Sequence, residues 1–137
     1  MSDAARETGT NLDIKFDANG LVPAIVQDAA TMRVLMVGWM NEAALKQTLT
    51  TRKATFYSRS RNKMWIKGEE SGHVQEVIEA RVDCDQDVVL LLCKAHGPAC
   101  HCGYHSCFFR AVDGASASAL KLADERVFDP KAVYKKH

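Results

Sequence analysis

Two short stretches of this chain carry residue types that bind metals: Asp83-Cys84-Asp85-Gln86-Asp87, and Cys100-His101-Cys102-Gly103-Tyr104-His105-Ser106-Cys107. Together they hold three aspartates, four cysteines and two histidines. Soft thiolates favour zinc, whereas carboxylate oxygens favour magnesium or calcium. Two ligand sets side by side point to two different metals, and so to catalysis rather than a single structural clip. Zinc sites that do chemistry use three protein ligands and leave a fourth position to water. Cys84, Cys100 and Cys107 make such a set, with Cys102, His101 and His105 as competing ligands. Gly103 permits the tight turn that brings separated thiols together. On an extended chain Asp83, Asp85 and Asp87 would share one face, with Cys84 on the other. Such a face suits magnesium, which keeps several waters and often touches substrate phosphates.

Rival patterns fail on spacing. An EF-hand loop needs Gly where this chain has Val88 and Glu where it has Lys94. A zinc ribbon needs two C-x-x-C pairs, and a zinc deaminase needs C-x-x-C after an H-x-E; this chain has C-x-C and no such H-x-E. The plain alternative for the aspartates is a solvated acidic turn, against which the adjoining cysteines weigh. Cys93 lies in an apolar run and reads as a small core residue.

Strand patterns surround these stretches. Leu21 to Gln27 and Arg33 to Trp39 read as a hairpin. Asn41 is a good N-cap, and Ala44, Leu45 and Leu49 recur at helical spacing, which predicts a short helix from Glu42 to Thr50. Ala54 to Ser58 and Met64 to Lys67 read as short strands, and Gly68 to Gly72 as a loop. Val74 to Val82 alternates as a half-buried strand, and Asp87 to Lys94 is a continuous apolar run. Ser106 to Val112 is a further strand and Leu120 to Arg126 a short helix. These patterns predict a strand-rich α+β domain with a mixed sheet and one or two short helices. It occupies residues 1–137, with a core over about 12–112, a loose N-terminus at 1–10 and a C-terminal extension at 113–137.

Composition narrows the class. The chain has 137 residues, 47% of them hydrophobic, and a net charge of +1, which gives one packed domain without a field for nucleic acid or an acidic membrane. No apolar run approaches a membrane span. The N-terminus lacks the basic-then-apolar pattern of a signal peptide, so a cytoplasmic location is expected. Five cysteines in a reducing compartment read as ligands or free thiols rather than disulfides.

Several motifs occur together: Val34-Leu35-Met36-Val37-Gly38-Trp39-Met40-Asn41, Tyr57-Ser58-Arg59-Ser60-Arg61, Trp65-Ile66-Lys67-Gly68-Glu69 with Ser71-Gly72-His73, the Asp83–Asp87 stretch, and Gly97-Pro98-Ala99-Cys100-His101 with Ser106-Cys107. In this order and spacing, from about Leu21 to Arg110, the chain resembles the phosphoribosyl-AMP cyclohydrolases of histidine biosynthesis. The resemblance implies an intertwined homodimer with one zinc per subunit shared across the interface. Cys84 would come from one chain, and Cys100 and Cys107 from the other, with magnesium on Asp83, Asp85 and Asp87. Cys102 departs from the family, which more often carries Thr there. The implied substrate is a nucleotide bearing two phosphates, whose adenine ring is opened by water at C6.

Zinc brings the pKa of bound water toward about 7, and the ring opening also needs proton transfer. His101 and His73 are the candidates for it, because imidazole changes charge near neutral pH; a purely orienting hydrogen bond is the alternative for His101. Arg59, Arg61, Lys67 and Ser71 are the candidate phosphate or ribose contacts, with a solvated basic face as the plain alternative. Trp39 and Trp65 are placed for base stacking or simple packing. Two other functions compete: a zinc aminohydrolase acting on another base, and a zinc-stapled binding module without catalysis.

Overall fold

A computed structural model describes residues 3–114 and 118–133. Its elements in chain order are α1 (Asp3–Thr8), β1 (Val22–Asp28), β2 (Val34–Met40), α2 (Glu42–Thr51), β3 (Thr55–Ser58), β4 (Lys63–Ile66), β5 (Gln75–Val82), β6 (Val89–Ala95), β7 (Arg110–Val112), β8 (Leu120–Leu122) and α3 (Pro130–Val133). The expected α+β, strand-rich class holds. The main sheet has the order β2-β1-β6-β5; β3-β4 and β7-β8 form two small ribbons. Only β1 and β6 run parallel, which makes the main sheet mixed.

Alternation builds the core. Val22, Ala24 and Val26 point to one face of β1, and Val89, Leu91 and Cys93 to the same face of β6; all six are buried. Leu35, Met36 and Met40 of β2, Ala44 and Leu45 of α2, and Phe56 of β3 close this layer. A Cβ at Gly38 would lie 2.4 Å from the Phe56 ring, so the absence of a side chain lets β3 pack onto β2. Asn41 caps α2 as expected: its Oδ1 accepts from the Ala44 N–H at 2.8 Å. Cys93 is a core residue, and burial, then the charge of Asp28, pushes its thiol up to about 12.

Two expectations for the C-terminal part differ. Leu120–Leu122 is a strand rather than the start of a helix, because it pairs antiparallel with Arg110–Val112. The strand expected from Ser106 begins only at Arg110. Ser106 and Cys107 bond β2 from the side instead: Ser106 Oγ donates to Val34 O at 2.8 Å and Cys107 N to Leu35 O at 2.7 Å. The polar N-terminus is helical over Asp3–Thr8.

That N-terminal segment is tied to the acidic stretch by one side chain. Buried Gln86 accepts from Asp13 N at 2.8 Å through Oε1, and its Nε2 donates to Arg6 O at 3.0 Å and Asn11 O at 3.1 Å. Gln86→Ala is expected to lower stability by about 2–3 kcal/mol, at roughly 1 kcal/mol per bond lost. Chemical denaturation measures the loss, and amide exchange at Asp13 should accelerate well beyond that of Leu91.

Candidate metal centre and nucleotide cleft

The acidic stretch is a turn, not the extended run expected. Gln86 has φ 57°, and its N–H bonds Asp83 O at 3.1 Å. The turn still gathers the carboxylates: oxygens of Asp83, Asp85 and Asp87 lie within 4.8 Å of one another. Asp83 Oδ1 accepts from the N–H groups of Asp87 at 3.0 Å and Val88 at 3.1 Å. Burial works to raise the Asp83 carboxyl, but the Asp87 side chain and these backbone donors hold it below its usual value. Asp87 shows the opposite: hydrogen bonding to Asp85 and Asp83, with their negative charge, holds it up at about 6. Crowded carboxylates on a half-open turn are the donor set and the charge excess that a hard divalent cation relieves, so the turn fits magnesium.

The thiol loop begins where β6 ends. Ala99 N bonds His105 O at 3.0 Å, Cys100 N bonds Tyr104 O at 3.2 Å, and Gly103 N bonds Cys100 O at 3.1 Å. Gly103 has φ 99°, and a Cβ there would lie 2.3 Å from Phe128 O, so glycine serves both the turn and the close approach. Val127 N donates to Gly103 O at 2.7 Å, which clamps the C-terminal extension onto the loop. Donor atoms of Cys100, His101 and Cys102 fall within 4.8 Å of one another. Desolvation, then the Cys100 thiol, pushes the Cys107 thiol up to about 11, and Lys67 pulls the other way; Cys107 is exposed by area in the single chain, yet protein atoms crowd its sulfur. Two or three thiols and an imidazole in one short loop are a soft donor set that fits zinc.

Among the described residues, Cys107 does not join the Cys100–His101–Cys102 group, and Cys84 joins neither cluster. It stands before β6 and Cys100 after it, and the strand's seven residues hold the two ends roughly 20 Å apart. Within one chain, the length of β6 therefore keeps Cys84 away from the thiol loop.

Three of the four expected phosphate contacts share a cleft. Arg61, Lys67 and Ser71 line it with Ser58, Ser60 and Trp65, and its volume is ≈ 670 Å³. Arg59 faces a neighbouring hollow, where its guanidinium lies 4.6 Å from the Trp39 ring centre. Lys67 has a second setting beyond that of a phosphate contact. Burial lowers its amine pKa, opposed by the attraction that Cys107 and then Cys100 exert when deprotonated. Lys67 thus lines the cleft and is also subject to the electrostatics of the thiol loop, which no local pattern reveals.

The two candidate proton carriers differ in setting. His101 is exposed, with Nε2 3.7 Å from Cys102 Sγ. His73 is half-buried: its ring packs against Gly97 and meets Phe128 edge-on at 5.1 Å, and its buried Nδ1 has no protein partner among the described residues. His105 turns away from the thiols to bond Asp28, Nε2 to Oδ2 at 3.1 Å. Asp28 closes the buried row of β1, a position that the sequence pattern alone marks only as the end of a strand.

Comparison with known proteins decides the family. The sequence profile described as phosphoribosyl-AMP cyclohydrolase matches residues 36–109. The chain is 56% identical over 124 residues to the phosphoribosyl-AMP cyclohydrolase of Chlorobaculum tepidum, covering 90% of this chain and 88% of the relative. The chain belongs to the phosphoribosyl-AMP cyclohydrolase family. Cyclohydrolases of Burkholderia vietnamiensis and Hyphomonas neptunium agree, at 53% and 52% identity, covering 89% and 90% of this chain and 90% and 95% of the relatives. The resemblance carried by the five motifs is borne out, and with it the expectation of an enzyme that hydrolyses a C–N bond. As a cyclohydrolase the chain acts on a small nucleotide substrate. None of its described helices is long and apolar enough to cross a membrane.

Proposed function

We propose that this chain hydrolyses the N1–C6 bond of the adenine ring of phosphoribosyl-AMP, giving the ring-opened phosphoribosyl-formimino-aminoimidazole carboxamide ribonucleotide of histidine biosynthesis. Family membership supports the reaction. The observation that carries the site is Lys67, which lines the cleft with Arg61 and Ser71 and lies in the field of Cys100 and Cys107. Phosphate held by that cleft leaves the base beside the thiol loop.

The zinc set we propose is Cys100 and Cys107 of one chain with Cys84 of the partner subunit, and magnesium on Asp83, Asp85 and Asp87. A zinc ion with one open position supplies Lewis acidity and, with it, a nucleophile from water at neutral pH. His101, next to Cys100 and open to solvent, takes the proton released as water adds to C6 and returns it to the departing ring nitrogen. His73, half-buried against Gly97, is the second candidate for the proton transfer. Arg61 and Lys67 hold the phosphates, while Trp65 walls the cleft.

Two observations support a homodimer. The first is the separation of Cys84 from its co-ligands by the length of β6. The second is β5: from Ile78 to Val82 every residue is exposed, although alternate side chains point to opposite faces. Ile78 is 57% and Val82 39% exposed. A sheet strand bare on both faces is a surface that another chain covers.

The decisive experiment follows the product. Phosphoribosyl-AMP incubated with the zinc- and magnesium-loaded protein should give the ring-opened product with no ammonia. One equivalent of ammonia would instead make the chain a deaminase, and no turnover would leave it a binding module. Two substitutions refine the assignment. Lys67→Met is expected to raise KM by about 10- to 100-fold, the worth of a charge-assisted contact, with a smaller change in kcat. Asp85→Asn should shift the magnesium titration of activity to higher concentration while zinc content stays at its original value.

A further inference from the structure

The thiol loop contains more donors than the shared zinc site uses. Cys102 is the surplus one, and its position is specific. Its Sγ lies 3.7 Å from His101 Nε2, and its N–H donates to Cys100 Sγ at 3.4 Å. The donor atoms of Cys100, His101 and Cys102 lie within 4.8 Å of one another. Zinc bonds of about 2.3 Å to sulfur and about 2.0–2.1 Å to nitrogen put two ligand atoms of a tetrahedral ion roughly 3.6 Å apart. The Cys102–His101 pair already has that spacing, and no partner chain is needed to make it.

The loop is also rigid enough to keep it. Backbone bonds from Ala99, Cys100 and Gly103 close the turn, and Val127 N clamps it at Gly103 O. Cys84, by contrast, lies beyond the other end of β6 and is absent from this donor group.

We infer that Cys100, His101 and Cys102 form a zinc-holding set complete within one chain, so that a subunit binds zinc before it meets a partner. Pairing then supplies Cys84 of the partner subunit in the coordination position of Cys102, while Cys107 takes that of His101 and frees this imidazole for proton transfer. This rests on the reading of the loop as the zinc site and adds a second way of occupying it. The ligand class is a thiophilic divalent cation, and no oxidation or covalent step is involved.

The test uses the full-length chain, zinc ion alone, and cobalt as a spectroscopic substitute. Cys84→Ser removes a side chain that is exposed in the single chain. It should still bind one zinc per chain, measured by metal analysis after dialysis. Adding Cys102→Ser, or separately His101→Ala at an exposed position, should weaken zinc binding at least about 100-fold. In the cobalt form, Cys84→Ser with Cys102→Ser should lose one thiolate's share of the sulfur-to-metal absorbance. Far-ultraviolet circular dichroism shows whether each variant is folded, and the two second substitutions act independently should one of them disturb the loop. If the double variants bind zinc as tightly as Cys84→Ser alone, the inference is overturned. If Cys84→Ser loses zinc while the unaltered chain keeps it, the inference is overturned and the shared site stands. If the unaltered chain binds no zinc at all, both readings fall.

Discussion

Serine at position 107 is expected to remove catalysis while leaving the fold in place. The backbone there is fixed without the sulfur: Cys107 N bonds Leu35 O at 2.7 Å, and Ser106 Oγ bonds Val34 O at 2.8 Å and receives Phe108 N at 2.9 Å. A hydroxyl therefore sits where the thiol sat, shorter in reach and without a thiolate's affinity for zinc. In the assembled site the ion loses one of its three anchors. We expect kcat/KM to fall by more than about 1,000-fold, equivalent to roughly 4 kcal/mol of transition-state stabilisation. Chemical denaturation of the metal-free protein should change by less than about 1 kcal/mol, the range of substitutions that touch no core contact. Steady-state kinetics with metal analysis after dialysis checks this. Full activity with zinc still bound would remove Cys107 from the ligand set.

The second large effect is a recovery. Cys84→Ser and Cys100→Ser homodimers are each expected to be inactive, since every site lacks a ligand. Mixed and allowed to exchange, they form hybrids in which one of the two sites has intact Cys84 from one subunit and intact Cys100 and Cys107 from the other. With random pairing half of the dimers are hybrids and each carries one good site, so activity should return to about a quarter of the unaltered level in a symmetric two-site dimer. Assay of the mixture, with native mass spectrometry to count hybrids, tests the arrangement. Proven hybrids without activity would put each site within a single chain, against the separation that β6 imposes.

Local chemistry makes much of this molecule readable. Asn41 announces the start of α2 because its side chain replaces a missing helical hydrogen bond. The alternation of Val22, Ala24 and Val26 announces a half-buried strand because successive side chains point to opposite faces. The metal-binding residue types are legible too, since zinc and magnesium select different donors. What depends on chain segments meeting from afar is not legible. Leu120–Leu122 reads as helical because nothing nearby reveals its pairing with Arg110–Val112. The aspartates converge through a turn set by the left-handed backbone of Gln86, not through strand alternation. Lys67 lines a cleft and is influenced by the thiols of a loop far along the chain, and Asp28 meets His105 across 77 positions. Composition speaks for what a residue can do; only the fold says whom it meets.

The tether through Gln86 bears on how this protein is made. Its partners, Arg6, Asn11 and Asp13, lie 73 to 80 positions upstream. During synthesis they leave the ribosome long before Gln86 exists, so the first helix has nothing to dock on until more than half of the polypeptide has emerged. Long-range closure of this kind comes late in folding. Protease sensitivity of residues 3–13 then becomes a clock: a nascent chain should be clipped there until the acidic turn appears and protected afterwards, which ties the maturation of that turn to an event that can be timed from the opposite end of the polypeptide.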